Sequence, residues 1–567
     1  MKFSEMPYER VSTEEINKKF ASLISDFKNA KDAEAAKKAL IAFDEYDRHI
    51  DTTVCIANVR HDIDTNDKFY DDEVNYWDES LPLVMESFKM WRDALLESPF
   101  RKELEEEFGE IIFINAELEN KTFSTEIVEE LQKEAKLMTE YEKLIASAQI
   151  SFEGGVYTLS QLTPFKTDAD DTRRHNAWMA EGSWFMEQKD RLDSIYDELV
   201  HLRDSMGRTL GFDGYTGLGY CRMKRNWFDK DAIEVFRANV RDFLVPVADK
   251  LRRRQAERLG MNYPLSYSDM ALEFRSGNPR PCGSADDILD AGSKFYNELS
   301  PETAEFFAMM RENELLDVLS KKGKRGGGYQ MPLYEYKVPF IFANFNGTQG
   351  DVEVVTHEAG HAFEDYLNEK RIPSSTVCPT MDGAEIHSMS MEFFAWPWAK
   401  EFFGDDTKKY LYSHLAAALL FIPYGTMVDH FQHIVYERPE MTPAERDAEW
   451  KRLTGIYMPW VSLDGQIPFY AQGFAWQRQS HIYTSPFYYI DYCLAQTVSL
   501  EFWAMIQDDM DAAWKKYMAY TTQGGSDTVL NMLKKAGLAS PMDSDNFKKV
   551  CAKADRFLDE YDLSGME

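Results

Sequence analysis

The sequence predicts a mostly α-helical protein with a small β-sheet. Three observations predict it: apolar residues recur at helical intervals over most of the 567 residues, strand-like patterns occupy two short stretches, and no fixed-period repeat or low-complexity tract interrupts them. A chain of this length can bury a sizeable core. Its aromatic content of 14% fits helices packed through rings, or a cavity lined by them.

Residues 12–150 read as amphipathic helices. In "STEEINKKFASLISDFKNA", Ser12, Thr13 and two glutamates form a start signal, and Ile16, Phe20, Leu23, Ile24 and Phe27 follow at helical spacing. In "FEGGVYTLSQL" (152–162) glycines and alternation break the period, which predicts a hairpin and a domain joint. The division expected is an N-terminal helical region, residues 1–171, and a second region, 172–567. From Thr172 one long or two shorter helices run to Gly211. The basic, glycine-rich "KKGKRGGGYQ" (321–330) lacks GK followed by Ser or Thr, so it reads as a mobile surface loop rather than a phosphate loop. "YKVPFIFANFNGT" (336–348) alternates rings and small residues as an exposed-edge or half-buried strand does, and stops at the turn signal Asn346-Gly347. Helical periods dominate the remainder.

Composition narrows the function classes. With 97 acidic against 64 basic residues the net charge is −33, which repels phosphate backbones and anionic membrane surfaces. Neither a nucleic acid nor a membrane is an expected partner. The six cysteines are scattered without a CxxC pair, as in a reduced, cytoplasmic setting. No signal-peptide core is expected at the N-terminus, nor any span of about 18 uncharged apolar residues.

One segment carries chemistry. "VVTHEAGHAFEDYL", from Val354, places His357 and His361 at i and i+4, where a helix stacks two imidazoles toward one point, a geometry that suits zinc. Glu358 stands where it can take a proton from an attacking water. Such a pentapeptide arises by chance in about 2% of chains of this composition. A catalytic zinc site needs a third protein donor and one open position. "DGAEIHSMSMEFFAWPW" (382–398) offers it: Glu385 and Glu392 lie seven apart on one face, so Glu385 can bind the metal while Glu392 supports a ligand imidazole from behind. His387 is the nearest rival, but it points to another side of the helix. Asp365 reads as a solvated or helix-stabilising acid.

These motifs carry a resemblance. "HEAGHAF", with "PFIFANFNGTQGDVEVVT" before it and "EIHSMSMEFF" after it, resembles the catalytic centre of the oligoendopeptidase F branch of the thimet oligopeptidase and neurolysin family of zinc metallopeptidases. The likeness extends through "MVDHFQHIVYERPEMTPAERDAEWKRL" and "HIYTSPFYYIDYCLAQ", and in order and spacing runs from about Thr172 to the C-terminus. It implies a large two-lobed, zincin-like helical fold, a deep substrate channel and a small sheet beside the active-site helix. It also implies one Zn2+ per chain and cleavage of short oligopeptides rather than folded proteins. Residue by residue, His357, His361 and Glu385 match its zinc ligands, Glu358 its general base and Glu392 its supporting carboxylate.

The oxyanion formed in peptide hydrolysis needs donors. The family places a histidine and tyrosines opposite the metal, which maps to His481, Tyr489 and Tyr492, with Tyr488 or Tyr483 as alternatives in register. If a helix begins after Pro486, Tyr489 and Tyr492 share a face. His430 and His433, at i and i+3, form a rival pair without a base beside them and read as structural. An open strand edge at Ala343 and Asn344 is expected to take an extended peptide, with Tyr488 a further substrate contact. The expected function is therefore a zinc endopeptidase for oligopeptides. A helical zinc carboxypeptidase and a noncatalytic, metal-braced peptide-binding protein are the alternatives.

Overall fold

The structure, a computed structural model, describes residues 1–566. Its first long helices are α1 (Thr13–Lys28), α2 (Ala33–Ile63) and α3 (Lys68–Leu96). A hairpin of β1 (Ile150–Phe152) and β2 (Gly155–Tyr157) precedes α4 (Asp171–Thr209). Three strands follow: β3 (Leu316–Leu319), β4 (Tyr329–Leu333) and β5 (Val338–Phe345). The later helices used below are α5 (Ala359–Asn368), α6 (Met381–Phe394), α7 (Thr407–Glu437), α8 (Tyr489–Ile506) and α9 (Met510–Thr521). Helix dominates, as the periodicity predicts.

The chain forms two compact units. One combines residues 1–120, 280–407 and 501–540; the other combines 121–279, 408–500 and the residues from 541 onward. In the first unit, α1 begins at a capping box, Ser12 with Glu15, and buries the five apolar residues that its period picks out. They join a core shared with α2 and α3, in which Phe43 stacks on Trp91 with ring centroids 3.9 Å apart. α2 also packs on β4, and α5 packs on β4 and β5.

The sheet corrects one expectation. Its order is β3-β5-β4, with β3 parallel and β4 antiparallel to β5, so β5 is the central strand and not an edge. Phe340, Ile341, Phe342 and Ala343 are buried in succession, the pattern of a strand covered on both faces. β4 pairs with β5 as far as Tyr329 opposite Phe342. Beyond that point Asn344 Nδ2 donates to the carbonyls of Arg325 and Gly327, which ties the glycine-rich 321–330 segment to the strand. The open edge expected at Ala343 and Asn344 is therefore not there.

In the second unit the hairpin forms as expected, and α4 is one continuous helix of 39 residues. Buried guanidinium–carboxylate pairs cross-link this unit: Arg203 with Glu134 at 2.6 Å, Arg237 with Asp429 at 2.6 Å and Arg225 with Asp491 at 2.7 Å. α7 and α8 approach so closely that a Cβ on Gly425 would lie 2.3 Å from Cys493 Sγ.

Residues 410–428 of α7 correct a second expectation, since they contain no Asp, Glu, Lys or Arg. A window within Met381–Glu437 is apolar enough to cross a membrane by length and composition, and 72% of it is buried inside the protein. This is the signature of a core helix. All six cysteines are free thiols.

Candidate metal centre

The approach to the site is built by local hydrogen bonding. After β5, the Asp351 carboxylate accepts the backbone N–H groups of Asn346 (2.9 Å) and Gly347 (2.7 Å), and Gly347 takes φ +79°. The expected turn forms here. A short helix, Gln349–Glu353, then widens into a π turn, Val354–Glu358, before α5 begins at Ala359. The His-Glu-x-x-His motif therefore straddles a π-to-α junction rather than a uniform α-helix. Such turns concentrate at functional sites because they re-aim side chains without ending the helix. Tyr296 steadies this one by donating its hydroxyl to Val355 O at 2.9 Å.

The three expected donors converge. His357 Nε2 and His361 Nε2 each lie 3.2 Å from Glu385 Oε2. For ligand bonds of about 2.0–2.1 Å a tetrahedron has edges of about 3.3 Å, so these spacings suit one ion with a corner left open. Behind the ligands, His357 Nδ1 lies 2.7 Å from Glu392 Oε1. A proton shared there turns the Nε2 lone pair toward the ion position. Ser388 Oγ donates to Glu385 Oε2 at 3.1 Å and fixes the carboxylate's rotation. His387, the rival ligand, is buried beside the site with its ring 5.4 Å from that of His361, and stands outside the converging set.

Electrostatics agree with cation binding. Burial opposes charge on His357, but hydrogen bonds and charges from Glu385 and Glu392 outweigh it and hold the imidazole well above its ordinary pKa. Burial likewise opposes charge on Glu385, and the two imidazoles outweigh it, keeping the carboxyl well below the usual range. The pocket favours a positive charge between these groups, which a divalent ion supplies in place of a proton. Glu358 is half-buried and carries none of the described hydrogen bonds or ion pairs, so its carboxylate is free to accept a proton.

Distant residues set the position of α6. From α9, Tyr517 donates to His387 O and Tyr520 to Gly383 O, each at 3.1 Å, on either side of Glu385. α5 and α6 touch at Gly360, where an added Cβ would lie 2.7 Å from Ser388 Cα and 3.1 Å from His387 O. Gly360→Ala is expected to pry these helices apart, costing about 1–3 kcal/mol and weakening metal binding, because His361 and Glu385 stand on opposite sides of the contact. Thermal unfolding and chelator competition check this; an alanine variant with unchanged Tm and metal affinity contradicts it.

The remaining predicted residues fall in the second unit. His481, Tyr488, Tyr489 and Tyr492 cluster there, with the His481 ring centroid 5.0 Å from that of Tyr489, 5.8 Å from Tyr488 and 6.1 Å from Tyr492. α8 starts at Tyr489, as the Pro486 signal predicts. Tyr424 donates to Gln479 Oε1 at 2.8 Å, and Gln479 Nε2 donates to His481 Nδ1 at 2.7 Å. That relay leaves the proton on Nε2. Burial lowers the His481 pKa, which favours the neutral ring. Tyr483 packs inside the core against Tyr141. His430 and His433 hydrogen-bond with Tyr457 and Tyr220, consistent with structural roles.

The sequence reading did not single out Ser388, Gly360, Gln479, Tyr517 or Tyr520. Ser388 at i+3 from Glu385 and Gln479 two residues before His481 were within reach of local pattern. The α9 tyrosines were not. Asp365 also departs from expectation: it is 3% exposed and bonded to Gln330 and Cys378, not solvated.

Two facing helical segments that aim a His-His-Glu set at one point, beside a small sheet, define a mostly helical protein with a candidate metal site. Residues 3–123 match the peptidase M3 N-terminal domain, and residues 298–550 match peptidase family M3. The structure of PZ peptidase A with an inhibitor shares 44% identity, covers 99% of this chain and 100% of that one, and superposes with a TM-score of 0.93. A second structure, of a protein assigned as an oligoendopeptidase F, shares 45% identity over 99% of both chains, also at 0.93. Oligopeptidase PepF of Bacillus subtilis (strain 168) is 22% identical over 467 residues, 76% of this chain and 66% of its own length. The chain belongs to peptidase family M3, in its oligoendopeptidase F branch.

Proposed function

We propose that this peptidase is a zinc-dependent endopeptidase that hydrolyses internal bonds of short oligopeptides. The observation that carries the reading is the pair of 3.2 Å approaches of His357 Nε2 and His361 Nε2 to one oxygen of Glu385. Two imidazoles and a carboxylate are a catalytic zinc set, since a structural site closes all four positions. Zinc, when bound, supplies Lewis acidity toward the scissile carbonyl and acidifies the attacking water.

The chain's own groups do the rest. Glu358 accepts the water's proton and returns it to the leaving amine nitrogen. Glu392 holds His357 in the ligating tautomer, and Ser388 holds Glu385 in place. His481 with Tyr489, Tyr492 and Tyr488 is assigned the oxyanion donors, supported by the family likeness and by the neutral N–H that Gln479 leaves on His481. The net charge of −33 favours neutral or cationic peptides.

An internally quenched peptide blocked at both ends is expected to be cut at an internal bond. Chelator should stop the cutting, and about one equivalent of Zn2+ should restore it. Mass spectrometry over peptides of graded length checks bond position and the size ceiling together. Cleavage only of unblocked C-termini would turn the reading to a carboxypeptidase, and binding without cutting would leave a peptide-binding protein.

A further inference from the structure

One turn beyond the catalytic histidines, α5 carries a second group of metal-ligating side chains that the proposed reaction does not use. Glu364 and Asp365 of α5 and Cys378, two residues before Thr380 caps α6, place their ligand atoms within 4.8 Å of one another. The two carboxylates are 1% and 3% exposed. Asp365 Oδ1 accepts the Cys378 thiol at 2.7 Å, and its Oδ2 accepts Gln330 Nε2. Glu364 Oε1 accepts Asn368 Nδ2 at 3.0 Å. Glu364 Oε2 is buried with no hydrogen-bond partner.

No basic side chain is among these partners. Arg371 acts on Glu364 through its charge alone, because its hydrogen bonds go to Asn368 Oδ1 and Thr522 O. Two adjacent buried carboxylates and a thiol with no cation hydrogen-bonded to them are costly unless they hold protons, and an orphaned buried oxygen adds to the cost. A divalent ion resolves both problems at once. We propose that Glu364, Asp365 and Cys378 form a second cation site, for a thiophilic divalent ion of the Zn2+ or Cd2+ type.

The donor set selects the ion class. A thiolate with two carboxylates suits zinc or cadmium, whereas magnesium and calcium take oxygen alone. On binding, the Cys378 thiol and any protonated carboxyl of Glu364 and Asp365 release their protons to solvent, and all three groups bind as anions. The Sγ to Oδ1 distance then opens from 2.7 Å to roughly 3.6 Å, the ligand separation around a tetrahedral zinc. A groove bordered by Leu333, Tyr334, Lys337, Val338, Glu369 and Val377 reaches Asp365, and the Lys337 charge at its wall is opposed by Glu369. Burial pushes the pKa of all three groups upward, so binding should strengthen as pH rises. An ion here ties α5, which bears His361, to the segment that launches α6, which bears Glu385. This inference stands apart from the proposed activity, because its test reads a thiolate that the catalytic donors lack.

The full-length protein is first loaded with one equivalent of Zn2+ and then titrated with Cd2+, following the ultraviolet thiolate-to-cadmium charge-transfer absorption. One saturable equivalent is expected. Cys378→Ser should lose the band, and a Cys282→Ser control at an exposed cysteine should keep it. Glu364→Gln, which leaves the thiol intact, should bind at least about tenfold more weakly. No band in the parent protein, a full band in Cys378→Ser, or unchanged affinity in Glu364→Gln each overturns the site.

Discussion

Glu358→Gln is expected to lower kcat by about a hundred- to ten-thousandfold while the metal content stays unchanged. The reason is a division of labour within five residues. His357 and His361 carry the nitrogen donors that converge with Glu385, whereas Glu358 lies between them in sequence and takes no part in that convergence. Glutamine keeps the size and polarity of the side chain but cannot accept the proton. Stopped-assay kinetics paired with elemental analysis make the comparison. Near-parental turnover in Glu358→Gln would remove it as the base, and loss of metal would show that it ligates.

Glu385→Ala is expected to cost metal binding first and activity as a consequence. Its carboxylate is the only donor of the three that comes from α6, and both imidazoles approach the same oxygen of it. Partners one shell further out cost about 10–100-fold in metal affinity when removed, so a direct ligand should cost at least that much. The fold should persist, because α6 is held by Tyr517, Tyr520 and its contact with α5 rather than by Glu385. A folded Glu385→Ala protein with full metal and full activity would place the third donor elsewhere, with His387 the first residue to try. The carboxylate-preserving Glu385→Asp should fall between the two, since it shortens the reach without removing charge.

Much of the site was legible because its chemistry is local. The i, i+4 spacing of His357 and His361 and the seven-residue spacing of Glu385 and Glu392 are consequences of helical geometry, and the structure places these side chains accordingly. What escaped is non-local or is carried by the backbone. The π turn at Val354–Glu358 leaves no mark on side-chain periodicity. β5 read as an edge because its neighbours lie elsewhere in the chain, though the unbroken apolar run from Phe340 to Ala343 was a sign of burial on both faces. Asp365 read as solvated because one residue's burial depends on what packs over it, here Gln330 from β4 and the loop bearing Cys378. In α7, the apolar stretch was underestimated because interspersed Ser, His and Tyr disguise a span free of formal charge.

The tyrosines that clamp α6 stand 130 and 137 residues downstream of the carbonyls they hold. During synthesis, therefore, a ribosome extrudes every metal donor long before it extrudes the two hydroxyls that steady the Glu385 helix. A nascent chain stopped short of α9 has the candidate ligands without the clamp, so the timing of translation delays a finished site until α9 itself has emerged.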